Sequence, residues 1–220
     1  LLIPVKNEIE SLKVFLKTLD EYEYNKVLVI DCNDEHDYKE IFSNHNKCEF
    51  IKSTKTGYGQ ALIDGINHIN TKYFCIINAD GSMDPKYLNR MLKLCKNLDL
   101  VFTSRYAKPG GGSEDDTFIT LLGNKIFSFL GNFLFNLKIS DILFTYILAN
   151  TRSVKSLKLK SADFRLCVEL PIKAKKSGLS YKCIPSFERS RIGGFKKVNA
   201  LKDGFLILTS IISLLFKKNN

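Results

Sequence analysis

The sequence predicts a single α/β domain with a mostly parallel central sheet, and two observations carry that prediction. A chain of 220 residues with 45% apolar residues is long enough to bury a sizeable core. Short apolar runs rich in β-branched residues also alternate with stretches of helical periodicity through the first half of the chain. Alternation of this kind favours parallel strands with helices on both faces of the sheet.

The elements of the first half follow in order from these patterns. Strands are predicted at five apolar runs, and helices at the four segments between them. The predicted strands are residues 1–5, 26–31, 48–53, 72–80 and 98–106, and the predicted helices are residues 8–20, 37–44, 58–70 and 85–97.

Polar residues, glycine or proline lie at the end of every predicted strand. In a parallel sheet of this type the ligand binds beyond the carboxyl ends of the strands. The strand ends therefore predict one composite site. Its candidate residues are Pro4, Asn7, Glu8, Asp31, Asn33, Asp34, Lys55, Gly57, Gly59, Asn78, Asp80, Ser82, Ser104, Arg105 and Tyr106.

The second half of the chain follows a different pattern. An acidic, glycine-rich loop (109–116) precedes residues 117–150, which are strongly apolar and predict an amphipathic helix with a break near Lys138–Asp141. Residues 163–178 predict a further helix, and residues 179–185 predict a short strand.

The last apolar run, residues 204–216, is 13 residues long and is closed by Lys217 and Lys218. A helix needs about 20 apolar residues to cross a bilayer, so this run is too short to span one. Two alternatives remain open. The run is either a core helix or an interfacial helix that lies on a membrane with its lysines at the headgroups.

The net charge of +10 is confined to the last third of the chain. Residues 1–150 carry 17 basic and 19 acidic side chains, whereas residues 151–220 carry 16 and 4. Such a block suits anionic lipid, a phosphorylated substrate or nucleic acid, or is simply a solvated basic face. Nucleic acid is the least favoured partner, because the block adjoins long apolar segments and has no interleaved aromatic pattern.

The six cysteines predict a reducing compartment. They form no C-x-x-C pair, most lie in apolar runs, and a chain of this size needs no disulfide bonds to hold its fold. We therefore expect reduced, buried thiols in a cytosolic protein.

The segment "CIINADGSMDP", residues 75–85, ends an apolar run in polar and acidic residues. Asp80 offers a hard carboxylate oxygen, and Asn78 and Ser82 offer further oxygens two residues away on either side. This set suits Mg²⁺ or Mn²⁺ bridged to phosphates, because these ions take few protein ligands and share oxygens with the substrate. The alternative is a polar turn that caps the strand.

Two further segments suit phosphate groups. "GYGQALIDG" (57–65) has neither Rossmann nor P-loop spacing, but its glycines beside Lys55 permit close approach to a diphosphate. "ERSRIGGFKK" (188–197) places arginines and lysines around two glycines, and their side chains bind phosphate oxygens. The alternative for the first segment is a turn that starts a helix, and the alternative for the second is a basic surface loop.

These motifs, in their order along the chain, resemble those of family 2 glycosyltransferases. "IPVKNE" resembles the family's P-x-x-N-E opening, "LVIDCND" stands at its V-D-D-G-S turn, and "INADGSMDP" resembles its D-A-D-x-x-x-x-P element. "KTGYGQALIDGI" is similar to its G-x-G-x-A-x-x-x-G segment, and "TSRY" with the following glycines is similar to its S-R-Y…G-G. "LGNKIFSFL…ISDI", "FRLCVELPIKA" and "IPSFERSRIGGFKK" resemble the branch that glycosylates polyprenyl phosphates, such as dolichol-phosphate mannosyl- and glucosyltransferases.

The resemblance implies a GT-A (Rossmann-like) fold and an inverting transfer from a GDP- or UDP-linked sugar to a polyprenyl (dolichyl or undecaprenyl) phosphate. It implies a nucleotide-sugar half at residues 1–106 and an acceptor half at residues 107–220, with C-terminal amphipathic helices that associate with a membrane. It also implies Mg²⁺ or Mn²⁺ as cofactor and a protein that is peripheral on the cytoplasmic face of that membrane. The oligomeric state is left open.

The resemblance also implies roles for individual residues. Asp80 would hold the metal together with Asn78 and Ser82, and Arg105 would lie near the donor or acceptor phosphates. Arg191, Gly194 and Lys197 match a basic element that grips the acceptor phosphate. The base and ribose pocket would be lined by Pro4, Asn7, Glu8 and Asp31, with Lys55 and Gly59 beside it, and the catalytic residues would be Asp80, Arg105, Arg191 and Lys197.

Three positions depart from the family pattern. Cys32-Asn33 replaces the usual Asp-Gly, Lys196 replaces the usual serine, and Asn78 replaces the first Asp of the D-x-D. Because Asn78 carries no charge, we expect weaker or less selective metal binding than an aspartate would give.

Three functions remain open at this point. A phosphate acceptor is already an anion and needs no general base, which agrees with the lack of an obvious base histidine. A family 2 transferase that acts on a glycan hydroxyl needs a carboxylate base, for which Asp141 and Glu169 are the candidates. A nucleotide-binding module that has lost catalysis is the third reading, suggested by Cys32 and Asn78.

Overall fold

Strands and helices alternate through the chain in a computed structural model that describes residues 1–45, 47–193 and 199–217. A 3₁₀ turn, Pro85–Tyr87, directly precedes the helix Leu88–Cys95. The strands are β1 (Leu2–Val5), β2 (Lys26–Ile30), β3 (Cys48–Lys52), β4 (Tyr73–Cys75), β5 (Leu100–Ser104), β6 (Gly112–Ser113), β7 (Ile147–Asn150), β8 (Tyr181–Pro185) and β9 (Phe187–Glu188). The helices are α1 (Ile9–Leu19), α2 (Lys39–Asn44), α3 (Tyr58–His68), α4 (Leu88–Cys95), α5 (Phe118–Phe135), α6 (Thr151–Ser156), α7 (Leu166–Lys176) and α8 (Ala200–Phe216).

The central sheet is mostly parallel, with one antiparallel strand. β1, β2 and β3 pair in parallel in that order. β4, β7, β5 and β8 form a second set, in which β5 and β8 are parallel and β7 is antiparallel to both of its neighbours. A parallel bridge between Leu2 and Ile76 joins the two sets. The carboxyl ends of the parallel strands therefore meet at one edge, where the sequence predicts the site.

The helix predicted over residues 117–150 is wrong in its last part, where the structure has strand β7. Helix α5 ends at Phe135, and the next residue, Asn136, adopts a left-handed conformation with a φ of 51°. The chain then forms a loop and returns as β7, whose Ile147, Leu148 and Ala149 are buried between β4 and β5. A strand buried on both faces shows no alternation, so its periodicity cannot distinguish it from a buried helix.

Apolar side chains fill both faces of the sheet. In β1, Leu2 packs in a cluster with side chains of α3, α7 and α8, whereas Ile3 packs in a second cluster with side chains of α1 and α4. The alternation recurs in β2, where Val27 belongs to the first cluster and Leu28 to the second. Since successive side chains of a strand point to opposite faces, β1 and β2 contribute to both cores and are held between them.

Helices α5 and α8 pack against each other and against α7. On α8, the side chains of Ile207, Ile211 and Leu214 are buried, whereas Leu201 and Phe205 are exposed. The alternatives for residues 204–216 are thus not exclusive, because one stripe of the helix belongs to the core and another lies outside it. Contact of that outer stripe with a membrane stays a prediction. All six cysteines are free, as predicted, and three of them are half-buried.

Candidate functional site

The turn that follows β4 presents Asp80 at the carboxyl edge of the sheet. The predicted strand over 72–80 is too long, because β4 ends at Cys75 and the chain turns at Ala79 and Asp80. Asp80 is 2% exposed, and its Oδ1 accepts hydrogen bonds from the N–H and the hydroxyl of Ser82 at 3.0 and 2.8 Å. Ser82 therefore orients the carboxylate and leaves Oδ2 for other partners.

Asn78 is held from the opposite side of the turn. Its Oδ1 accepts a hydrogen bond of 3.1 Å from the hydroxyl of Tyr58, the first residue of α3. Tyr58 is itself fixed by a 2.6 Å hydrogen bond with Thr145 and by stacking on the ring of Phe164. The amide oxygen of Asn78 is thus pre-oriented by a half-buried aromatic side chain. Asn78 leads into a turn, whereas the sequence predicts an extended strand over residues 72–80.

The oxygens of this turn suit a metal that shares its ligands with a substrate. Within residues 1–45, 47–193 and 199–217 there is no group of three His, Cys, Asp or Glu side chains that could hold an ion by themselves. Mg²⁺ commonly binds through one or two carboxylates plus substrate phosphates and keeps several waters. Asp80, with Asn78 and Ser82 beside it, fits an ion of that kind and not a closed protein cage.

Asp31, predicted for the nucleotide pocket, ties together the ends of three strands. Its carboxylate accepts hydrogen bonds from the N–H groups of Asn33 and Gly57 at 3.0 and 3.1 Å and from the Thr56 hydroxyl at 2.9 Å, and Lys6 lies 3.4 Å away. Burial alone would raise the pKa of this carboxyl, but these donors outweigh it and hold the pKa below its usual range.

Asp34 plays a similar part for the loop after β1. It is 1% exposed, and its Oδ2 accepts hydrogen bonds from the N–H of Asn7 at 2.7 Å and from the Tyr38 hydroxyl at 2.6 Å. Asn7 has a φ of 51°, so Asp34 stabilises a left-handed residue in the predicted base pocket. Asp34 is one of the candidate residues at the strand ends, and its contacts give it a structural role in shaping the pocket.

The remaining pocket residues lie near this edge in different environments. Pro4 is buried inside β1 opposite Val29, Glu8 is half-buried at the start of α1, and Lys55 is exposed. Gly59 is buried, and a Cβ there would overlap the carbonyl oxygen of Ser161. Packing therefore explains Gly59 without close approach to a diphosphate, and the ligand roles of these four residues stay predictions.

Arg105 lies inside an ionic network. Its side chain is 9% exposed, with Nε 2.7 Å and Nη2 3.0 Å from the two oxygens of Asp141, and Nη1 3.1 Å from Glu188. The ring of Phe144 lies 4.6 Å from the guanidinium carbon. Burial raises the pKa of Glu188, and Arg105 opposes that shift. The structure thus gives Arg105 a positioning role between three segments, and direct contact with a phosphate stays a prediction.

Arg191 is brought from the far end of the chain to Asp80. Its Nη1 lies 3.1 Å from Asp80 Oδ2 and its Nε lies 3.0 Å from Asp115 Oδ2. The neighbouring Ser190 donates its N–H and hydroxyl to Glu114 at 3.0 and 3.1 Å. Sequence reasoning predicted Arg191 but missed Glu114 and Asp115, whose only signal was the acidic run before α5.

Arg189 makes a parallel contact one step along the same turn. Its Nη2 lies 2.6 Å from Asp84 Oδ2, and Lys86 Nζ lies 2.9 Å from the same oxygen. The predicted Gly194 and Lys197 lie outside the described residues.

The sequence of the chain is similar to those of known glycosyltransferases. Residues 1–157, more than half of the chain, match the sequence model of "Glycosyl transferase family 2". An uncharacterised glycosyltransferase of Mycobacterium tuberculosis is 32% identical over 100 residues, which are 45% of this chain and 44% of that protein. The dolichol-phosphate mannosyltransferase of Pyrococcus furiosus is 26% identical over 187 residues, which are 80% of this chain and 53% of that protein. The chain thus spans about half the length of these curated relatives.

Solved structures show the same fold. Glucosyl-3-phosphoglycerate synthase from M. tuberculosis, in complex with Mn²⁺, uridine diphosphate and phosphoglyceric acid, superposes with a TM-score of 0.72 at 13% identity. The match covers 99% of this chain and 78% of that one. At this level of identity the likeness concerns the fold, and it confirms the predicted GT-A-like α/β architecture.

Proposed function

Because the chain belongs to glycosyl transferase family 2, we propose that it transfers a sugar from a nucleotide-sugar donor to the phosphate of a polyprenyl lipid. The observation that carries the proposal is the 3.1 Å contact between Asp80 and Arg191. It places a carboxylate suited to a metal-bound diphosphate beside a guanidinium suited to a second phosphate. Two phosphorylated substrates can meet at such a place.

The donor would be bound with Mg²⁺ or Mn²⁺. Asp80, Asn78 and Ser82 would hold the ion, which when bound neutralises the charge of the leaving diphosphate. The Mn²⁺ and uridine diphosphate of the structural neighbour support a divalent ion and a UDP-linked donor, with a GDP-linked donor as the other candidate.

The protein's carboxylates favour a phosphate as acceptor over a hydroxyl. A hydroxyl acceptor needs a general base, and the two candidate bases are both committed inside the protein. Asp141 is 1% exposed and paired with Arg105, and Glu169 is 4% exposed and accepts from the N–H groups of Lys160 and Ser161. A phosphate acceptor needs only to be oriented, which is work that Arg191 can do.

A lipid acceptor agrees with the apolar surface of α5 and α8, which we call the α5–α8 face. Its exposed side chains are Phe118, Ile119, Leu122, Ile126, Phe129 and Phe133 on α5 and Leu201, Phe205, Leu208, Ile212, Leu215 and Phe216 on α8. Exposed apolar surface with basic residues beside it, here Lys125, Lys202 and Lys217, suits an interfacial position on an anionic membrane.

Among the described residues, Phe118–Phe135 is the one helix that is long and apolar enough to cross a bilayer by length and composition. Its packing against α7 and α8 favours a helix that lies on the surface as part of this fold. On this proposal the protein is peripheral on the cytoplasmic face of a membrane, and the match to the dolichol-phosphate mannosyltransferase supports the lipid acceptor.

A second candidate function is transfer to a small soluble acceptor that carries a phosphate, favoured by the phosphoglyceric acid bound to the structural neighbour. Incubation with radiolabelled UDP- and GDP-sugars and Mn²⁺ separates the two. Undecaprenyl or dolichyl phosphate in vesicles should yield a labelled lipid, whereas phosphoglyceric acid and soluble sugars should stay unlabelled. Label that enters only a water-soluble product would contradict the lipid acceptor.

A further inference from the structure

Arg191 lies where a divalent cation would meet Asp80. One carboxylate oxygen of Asp80, Oδ1, already accepts two hydrogen bonds from Ser82. The other, Oδ2, lies 3.1 Å from Arg191 Nη1. Since Asp80 is only 2% exposed, the guanidinium covers the oxygen that a metal ion would use.

Backbone contacts fasten the segment that carries Arg191 onto the Asp80 turn. The N–H of Ile192 donates to the carbonyl of Asp80 at 2.9 Å, and the N–H of Arg189 donates to the carbonyl of Ser82 at 2.8 Å. The Ile192 side chain also packs over Gly81, where a Cβ would overlap it. The position of Arg191 is therefore set by its segment as well as by its own charge.

Asp115 holds the other side of the same guanidinium, with its Oδ2 3.0 Å from Arg191 Nε. A guanidinium carries five N–H donors in a fixed fork. Because this fork is rigid and planar, the Nη groups can leave Asp80 for another anion only when the whole guanidinium moves, and Asp115 fixes its position beside Asp80 until then. This makes Asp115 a positioning residue for Arg191.

On the premise of the metal-dependent transfer proposed above, we propose that Arg191 is the resident counter-ion of Asp80 and that the divalent cation displaces it. Two cations at one carboxylate repel each other, whereas a phosphate attracts a guanidinium. Metal binding at Asp80 thus releases Arg191 toward a phosphate group of the second substrate. Because such coupling is reciprocal, a phosphate that draws Arg191 away also strengthens metal binding.

Mn²⁺ binding to the whole chain without donor tests this proposal, measured from the loss of the free Mn²⁺ signal in electron paramagnetic resonance. Arg191→Gln should bind Mn²⁺ about tenfold more tightly than the wild type, a size typical of coupling between sites. Arg189→Gln is the matched control, because it removes the same charge from the same segment, but Arg189 pairs with Asp84. Its effect should stay below about twofold, as expected for a screened, exposed charge.

Asp80→Asn separates failure of this proposal from failure of the proposed metal site. If Asp80→Asn abolishes Mn²⁺ binding, both in the wild type and in Arg191→Gln, the metal lies at Asp80. Equal affinities of Arg191→Gln and the wild type would then overturn the displacement and leave the metal site standing, as would an equal gain in Arg189→Gln. If Asp80→Asn leaves Mn²⁺ binding unchanged, both proposals fail. Thermal unfolding by circular dichroism checks that each variant is folded.

Discussion

Buried carboxylates at the same edge of the sheet are stabilised in two different ways. Asp31 and Asp34, which follow β2, accept hydrogen bonds from N–H groups and hydroxyls of the loops around them. Asp80 and Asp84, which follow β4, contact arginines from a distant segment, with 105 residues separating Asp84 and Arg189. The first pair and its loops form what we call the pinned region, and the second pair forms the exchangeable region.

The difference indicates which carboxylates can exchange their protein partners for a ligand. Backbone N–H donors cannot leave a buried carboxylate without opening the loop that they belong to, and an unpaired buried group costs about 1–3 kcal/mol. An arginine side chain can exchange one anion for another at a smaller structural cost. We therefore expect the pinned region to govern stability and the exchangeable region to govern metal binding and turnover.

The largest effect should follow from Asp80→Ala in the exchangeable region. Loss of the metal carboxylate should lower turnover by about a hundredfold or more, because the ion supplies several kcal/mol of charge stabilisation. Turnover is measured in wild type and variant against titrated Mg²⁺ and Mn²⁺. Turnover that is unchanged in the variant and resistant to EDTA would contradict the metal role of Asp80.

The largest loss of stability should follow from Gly59→Ala in the first turn of α3, directly after the loop that donates to Asp31 in the pinned region. The new Cβ would overlap the carbonyl oxygen of Ser161 and lie 2.6 Å from that of Asp163, so we expect a loss of about 3 kcal/mol in the free energy of unfolding. Gly123→Ala in α5 is the control, because nothing lies within 4 Å of a Cβ there. Urea denaturation should show no loss for the control, and equal losses in both variants would refute the packing explanation of Gly59.

Asp31→Asn should destabilise the protein by about 2 kcal/mol at pH 7, since charge-assisted hydrogen bonds are lost. The pKa of Asp31 is lowered in the folded state, so its contribution is present above the unfolded value of about 3.9 and is lost as the pH falls through the lower folded value. Urea denaturation at several pH values should show the difference from wild type shrinking in acid. The exposed Glu35→Gln is the charge-matched control, and a deficit as large at pH 3 as at pH 7 would speak against the charge as cause.

The smallest effect should follow from Asn78→Asp, which adds a third acidic side chain beside Asp80 and Asp84 of the exchangeable region. A carboxylate can still accept the hydrogen bond from Tyr58, so we expect the fold to persist and Mn²⁺ to bind a few times more tightly, since added carboxylate charge favours a hard cation. Calorimetric titration measures the affinity. Asn70→Asp, an exposed position before β4, adds the same charge elsewhere, and a similar gain there would argue against Asn78 as a ligand.

The amino-acid sequence by itself determined the alternation of strands and helices and the polar character of the strand ends. These features depend on local periodicity, which survives without knowledge of the fold. Asp80 could be predicted for the same reason, because it directly follows an apolar run in a segment that also resembles a family motif. The branch of the family, the division near residue 106 and the ligand roles of the pocket residues stay predictions.

Only the tertiary structure decided what each of the other charged residues contacts. Ion pairs between distant segments have no local signature, so the sequence could not show that Arg105 is enclosed by Asp141 and Glu188 or that Arg191 bridges Asp80 and Asp115. The position of β7 between β4 and β5 could not be predicted from the sequence either. Burial on both faces removes the alternation that identifies a strand, and only pairing with its neighbours distinguishes it from a helix.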